Sequence, residues 1–284
     1  MNTVTRFAPS PTGWLHLGHA YAAIFAEQKA RQNLGRFLIR LEDIDGTRSR
    51  PEYETALFDD LQWLGLTWER PVLRQSDHAA DYRLALDELA RQELLYPCFC
   101  TRREIQEEIA QAPRAPHGPD GPLYPGTCRH LSHRESQSLI ESGQPYALRL
   151  DIEKATYRIG HSLQWEDLGR GLQTANPALF GDVVLARKDT PASYHLAVVV
   201  DDARQGITLV TRGEDLFEAT HLHRLLQELL HLPVPTWHHH RLVTDELGKR
   251  LAKRDHARSL RTLREEGWTP QKVRRVLNLE ESAS

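Results

Sequence analysis

The sequence predicts an α/β fold: a Rossmann-like parallel-sheet core, split by an inserted subdomain and finished by a short helical C-terminal region. Three observations carry this prediction. Strand and helix patterns alternate through the first 97 residues. The chain then turns rich in Pro and Gly, and the alternating pattern returns after residue 190. The expected units are therefore 1–97, the first half of the core; 98–190, the insertion; 191–245, the second half; and 246–284, a loop and helical tail.

Each element has a local reason. Residues 3–8 read as a strand, and Pro9, Pro11 and Gly13 break it into a turn. Over 16–33, Leu17, Ala20, Ile24 and Ala30 recur at helical spacing, with Gly35 as a stop. An apolar strand at 37–41 and a helix at 51–64, opened by Pro51, follow. A third helix at 79–93 leads into Tyr96-Pro97-Cys98-Phe99-Cys100. Residues 112–126 are dense in Pro and Gly, and 146–187 read as short strands. The α/β pattern resumes with apolar residues 196–200, a strand at 208–211 and a helix at 215–230; residues 260–279 read as two short helices.

Composition narrows the classes. With 284 residues, 40% hydrophobic and 26% charged, the chain can bury a core and is neither disordered nor fibrous. No apolar run approaches the roughly 18 residues a membrane span needs, and the N-terminus has no export signal, so a cytoplasmic protein with no membrane partner is expected. A net charge of −3 argues against non-specific coating of nucleic acid. Locally, however, 241–275 carries eleven Lys or Arg against five Asp or Glu. Cys98, Cys100 and Cys128 cannot close a disulfide framework, and their clustering points to metal instead.

The first constellation runs from Pro9 to His19, between the first strand and the first helix, where phosphate meets the free N–H groups of a helix start. Gly13 to Ala20 lacks the Lys and the hydroxyl of a P-loop, because His19 and Ala20 stand there. What remains is His16 and His19, one helical turn apart, able to donate to phosphoryl oxygens, with Gly18 leaving room for a nucleotide.

This segment resembles the His-Ile-Gly-His signature of class I aminoacyl-tRNA synthetases, and Arg6-Phe7-Ala8-Pro9-Ser10-Pro11-Thr12-Gly13 resembles its form in the glutamyl and glutaminyl branch. The likeness extends through Arg40 to Arg48 and Val210 to Leu216. Arg250-Leu251-Ala252-Lys253-Arg254 resembles the family's mobile Lys loop, with Arg250 and Ala252 departing from the pattern and Lys253 matching it. The resemblance implies ATP, with Mg²⁺, as substrate, bound by His16, Gly18, His19 and Lys253. It also implies in-line attack of an amino acid carboxylate on the α-phosphorus, with His16, His19 and Lys253 stabilising the charge.

A glutamate substrate would need cations for its side chain and an anion for its amine. Arg6 and Arg212, at strand ends, are suitable forks for a carboxylate, and Glu42 suits the ammonium. Tyr194, Ser10 and Ala8 complete the expected pocket, while Asp43 and Asp45 either touch substrate or order their turn. Three thiols fit a structural zinc site that needs a fourth donor. Chemistry alone offers His117, His130 or His133; the resemblance implies Tyr124.

Relatives in the glutamyl branch continue beyond the Lys loop with domains that grip the anticodon. The chain's overall pattern is similar to the glutamyl-Q tRNA(Asp) synthetases, which lack those domains. That similarity implies transfer of glutamate to queuosine in the anticodon of tRNA(Asp) and phosphate contacts from Arg250, Arg254, Arg258 and Lys272; a monomer is expected. Two rivals are charging of tRNA(Glu) with a separate anticodon-binding partner, and a non-enzymatic RNA-binding paralogue.

Overall fold

A computed structural model describes residues 2–111, 117–119, 121–244 and 258–280. Strand β1 (Val4–Phe7) leads into helix α1 (Leu17–Gln32), strand β2 (Arg36–Leu41), helix α2 (Pro51–Trp63), the short β3 (Leu73–Arg74), helix α3 (Ala79–Arg91) and β4 (Leu95–Cys98). The middle of the chain holds α4 (Arg102–Gln111), β5 (His117–Gly118), β6 (Gly121–Pro122), α5 (His133–Glu141), β7 (Ala147–Leu150), α6 (Ile152–Ile159), β8 (Gln164–Asp167), β9 (Gly171–Thr174) and β10 (Val184–Arg187). Then come α7 (Tyr194–Arg204), β11 (Leu209–Gly213), α8 (Ala219–Leu229), β12 (Thr236–His240) and, after the segment left undescribed, α9 (Leu260–Glu265) and α10 (Pro270–Val276).

Two sheets form the core. β1, β2 and β3 are parallel, and β11, β12 and β8 are parallel with β9 added antiparallel at the edge. The sheets meet where β1 runs beside β11: the Thr208 N–H donates to the Val4 carbonyl at 3.0 Å. From that seam the β1–α1–β2 and β11–α8–β12 connections lead away in opposite directions, so the carboxyl ends of β1 and β11 define the crevice in which an open α/β sheet binds its ligand.

Two expectations need refinement. The apolar stretch 196–200 lies inside helix α7, whose Leu196, Ala197, Val198 and Val199 are all buried; a short run buried on every side has no period to separate helix from strand. Within 146–187, residues 152–159 are helical, with Asp151 accepting the Lys154 N–H at 2.9 Å as the N-cap and Gly160 ending the helix in the left-handed region at φ 66°. The hairpin β8–β9, inside the 98–190 range, pairs with β12 and so extends the core sheet. The sheet β10–β7–β4 is separate and antiparallel.

The two expected C-terminal helices are present and dock on α1 and α2. Leu260, Leu263, Val273 and Leu277 are buried with Ala23, Ile24, Leu57 and Leu61 of α1 and α2. The backbone is stitched as well: Leu260 N–H donates to the Leu15 carbonyl at 2.7 Å, and Ser259 forms an antiparallel bridge with His16. The start of α9 is thereby adjacent to the start of α1.

Candidate active site

His16 is the N-cap of α1, and the two histidines cap the helix for each other. Nδ1 of His16 accepts the Gly18 N–H at 3.1 Å, and Nδ1 of His19 accepts the His16 N–H at 3.2 Å. With each Nδ1 accepting, each neutral ring carries its proton on Nε2, as a donor. The rings lie 3.9 Å apart, at the positive end of a 16-residue helix. Gly18 is required for this: a Cβ there would come within 2.9 Å of His16 Cε1 and push the ring aside.

The carboxyl ends of β1, β2 and β11 hold a buried cluster of charges. Arg6, at the end of β1, donates from Nε to Asp202 Oδ1 at 2.9 Å and from Nη1 to the Thr211 carbonyl at 3.1 Å. Arg40, fully buried on β2, shares Asp202 at 2.6 Å and donates to Glu42 at 3.2 Å. Burial pushes the Glu42 carboxyl upward, against the lowering from Arg40 and Arg6, so an ammonium brought to it would be stabilised. Arg212, at the end of β11, differs from both: it is buried, yet among the described residues no carboxylate lies within 4.0 Å of it. Its partners are Tyr194, Thr220, His223 and His239. Burial pulls its guanidinium below the ordinary value.

The structure therefore brings Arg6, Glu42, Tyr194 and Arg212 together at the strand ends, with Ala8 and Ser10 on the segment leaving β1. Asp43 and Asp45 order their loop: Asp43 accepts from Ser76 N–H and hydroxyl, and Asp45 from Thr47 and Arg48. Lys253, with Arg250 and Arg254, lies outside the described residues. Arg258 and Lys272 both lie over the Trp268 ring, at 6.0 and 4.3 Å. Sequence reasoning missed Asp202 and the histidines around Arg212. The run Trp237-His238-His239-His240 held a signal: on a strand, alternation turns His239 away from its two neighbours.

Those imidazoles give a pH prediction. Burial, with the Arg212 charge next, holds His223 and His239 below the ordinary histidine range. Both stay neutral in the folded protein as pH falls, while the unfolded chain starts to bind protons near pH ~6.5. Below that point the unfolded state holds more protons, so stability declines by up to about 1.4 kcal/mol per pH unit for each ring. Denaturant unfolding at about pH 7 and about pH 5.5 measures the slope, and a flat profile would rule out the buried neutral pair.

In the insertion, the Sγ atoms of Cys98, Cys100 and Cys128 lie within 4.8 Å of one another. Cys100 Sγ is 3.3 Å from Cys128 Sγ and 3.5 Å from the Tyr124 hydroxyl, which also accepts the Cys128 N–H at 2.9 Å. His130 and His133 are exposed and outside the cluster. Burial, the largest influence, pushes the Cys100 thiol up to about 12. A divalent cation among the sulfurs would supply the charge that reverses this, so the donor set fits a thiophilic metal.

Fold and site together define a class I aminoacyl-tRNA synthetase catalytic domain. The family described as "tRNA synthetases class I (E and Q), catalytic domain" matches residues 2–281, and the chain belongs to it. Within it the chain belongs with the glutamyl-Q tRNA(Asp) synthetases: it is 54% identical to the protein of that name from Rhodobacter capsulatus, over 97% of this chain and 100% of the relative. It is 41% identical to the glutamate–tRNA ligase of Aquifex aeolicus, covering 94% of this chain but 54% of that protein. The crystal structure of the glutamate-tRNA synthetase from Elizabethkingia anophelis superposes with a TM-score of 0.79 at 27% identity, over 95% of this chain and 60% of that one. Among the described residues, no helix is long and apolar enough to cross a membrane.

Proposed function

We propose that this chain uses ATP to activate glutamate as glutamyl-adenylate and transfers the glutamyl group to queuosine in the anticodon of tRNA(Asp). The observation that carries the amino acid choice is Arg212, a buried guanidinium without an ion-pair partner among the described residues, beside a partly exposed Tyr194 and close to Glu42 and Arg6. A site of that charge fits a substrate with a second carboxylate and one ammonium. The names of relatives such as the Rhodobacter capsulatus protein support the acceptor.

In this reading one oxygen of the glutamate α-carboxylate attacks the α-phosphorus of ATP in line, the new P–O bond forms as the bond to pyrophosphate breaks, and no protein nucleophile takes part. His16 and His19 donate from Nε2 to phosphate oxygens, Gly18 leaves the space, and Lys253 offsets the leaving charge of pyrophosphate, with Mg²⁺ accompanying the nucleotide. Arg212 and Tyr194 receive the side-chain carboxylate, Glu42 the ammonium, and Arg6 shapes the electrostatics through Asp202. Ala8 and Ser10 line the segment after β1. A hydroxyl of queuosine then attacks the acyl carbonyl and AMP leaves. Phosphate contacts from Arg258 and Lys272, and from Arg250 and Arg254, fit an RNA approaching the C-terminal face.

One assay tests the whole reading: ATP, labelled glutamate and the purified chain, offered tRNA(Asp) with queuosine, tRNA(Asp) without it, and tRNA(Glu). Label on queuosine-bearing tRNA(Asp) alone is expected. Label on tRNA(Glu) would favour the tRNA(Glu) ligase reading that the Aquifex aeolicus relative's name suggests, and absence of glutamate-dependent ATP–pyrophosphate exchange would leave a non-enzymatic binder.

Zinc held by Cys98, Cys100, Cys128 and Tyr124 would be structural, tying β4 to the turn at 124–128 in a subdomain with a small apolar core. About one zinc per chain is expected in purified protein, with most of it lost in Cys128→Ser. Full zinc retention in that variant would refute the site.

A further inference from the structure

A guanidinium buried in protein is ordinarily paired with a carboxylate, as Arg6 and Arg40 are with Asp202. Arg212 is instead held by four neutral acceptors. Nε donates to His239 Nε2 at 3.1 Å, Nη1 to His223 Nδ1 at 3.1 Å and to the Tyr194 hydroxyl at 3.4 Å, and Nη2 to Thr220 Oγ1 at 2.6 Å.

These contacts fix the protons on both rings. His239 Nδ1 lies 2.6 Å from Asp167 Oδ2, with both side chains fully buried; the carboxylate accepts, so Nδ1 carries the proton and Nε2 turns its lone pair to Arg212. Asp167 is itself anchored by the N–H groups of Gly169, Arg170 and His239. On the other side, His223 Nδ1 faces Arg212, so its proton sits on Nε2 and points to His195 Nδ1 at 3.1 Å. Protonation of either inner ring would set a donor and a second positive charge against the guanidinium.

We propose that His223 and His239, with Asp167 behind His239, are positioning residues that orient Arg212 through neutral lone pairs and so keep its positive charge uncompensated for the side-chain carboxylate of the substrate. This rests on the reading of Arg212 as the receptor of that carboxylate. The donor count agrees. Arg212 has five N–H groups, four of them engaged; the fifth, on Nη2, and the Tyr194 hydroxyl proton are left for two carboxylate oxygens. A carboxylate at position 223 or 239 would orient Arg212 equally well but would neutralise it. Burial, with neighbouring positive charge, keeps both imidazoles in the neutral form that this role needs.

The test separates orientation from charge. His223→Glu should raise the glutamate KM in ATP–pyrophosphate exchange by about 10- to 100-fold while the ATP KM moves less than about threefold, and His223→Gln, which keeps a neutral acceptor, should stay within about fivefold of the parent. Asp167→Asn, which reverses the His239 tautomer, should raise the glutamate KM by about tenfold. Equal effects of His223→Gln and His223→Glu would reduce His223 to packing and overturn the proposal. A ¹⁵N imidazole spectrum of the parent protein adds a readout independent of substrate, with ring signals assigned through the Gln variants. Nδ1–H at His239 and Nε2–H at His223 are expected near pH 7, and an imidazolium at either would overturn the proposal even if glutamate proved to be the wrong substrate.

Discussion

Replacing Arg212 with Ala should lower kcat/KM for glutamate in ATP–pyrophosphate exchange by about 10- to 10²-fold, almost entirely through KM. The size follows from the bond removed: the carboxylate loses the charge-assisted hydrogen bond from the fifth N–H of Arg212, roughly 1.5–3 kcal/mol, and keeps the one from Tyr194. The partition follows from where Arg212 acts, since a group that binds the side chain holds ground state and transition state alike. The ATP KM should change little, because the hydrogen bonds of Arg212 run to Tyr194, Thr220, His223 and His239 and not to His16 or His19. Stability should fall by roughly 1–3 kcal/mol: no opposite charge is stranded, but the buried acceptors on His223, His239 and Thr220 lose their donor. Arg212→Lys should recover only part of the loss, since an ammonium lacks the planar fork. A glutamate KM within about threefold of the parent in Arg212→Ala would end the case for this pocket.

Much of this site was legible because local chemistry wrote it. Two imidazoles one turn apart, after a Pro-rich turn and beside a Gly, needed only a strand before them and a helix after them to be read as a phosphate cradle. Arg6, Arg212 and Glu42 stood at strand ends, where an open parallel sheet exposes its ligand crevice. What could not be read depends on distant pairing. Asp202 meets Arg6 across 196 residues and Arg40 across 162, and nothing near Asp202 in the sequence announces either contact. The hairpin β8–β9 looked like part of the insertion because only β12, far downstream, gives it a parallel partner. The His run at 238–240 divides by strand alternation: His238 and His240 lie against Phe25, while His239 turns to Arg212 and Asp167.

The same distant pairing sets the largest stability effect. Asp202 accepts from Arg6 Nε and Nη2 and from Arg40 Nη1, at 2.9, 3.3 and 2.6 Å, and thus bridges β1, β2 and α7 with one carboxylate. Burial alone would raise its pKa, but the two guanidinium groups outweigh it and hold Asp202 below the usual carboxylate range, so the bridge is ionised at neutral pH. Asp202→Asn keeps the shape and removes the charge, leaving buried Arg6 with no ion-pair partner among the described residues and Arg40 with only Glu42 and Asp201. The loss should be about 3–5 kcal/mol, the range for one partner taken from a buried ion pair. For a chain of this size that corresponds to a drop in melting temperature of roughly 10 °C. Glutamate use should fall too, because Arg40, which donates to both Asp202 and Glu42, loses the carboxylate that fixes it beside the pocket. Calorimetry of parent and Asp202→Asn protein checks the claim directly. A melting temperature within about 2 °C of the parent would mean that β1 and α7 are held together by apolar contacts alone, with the bridge incidental to the fold.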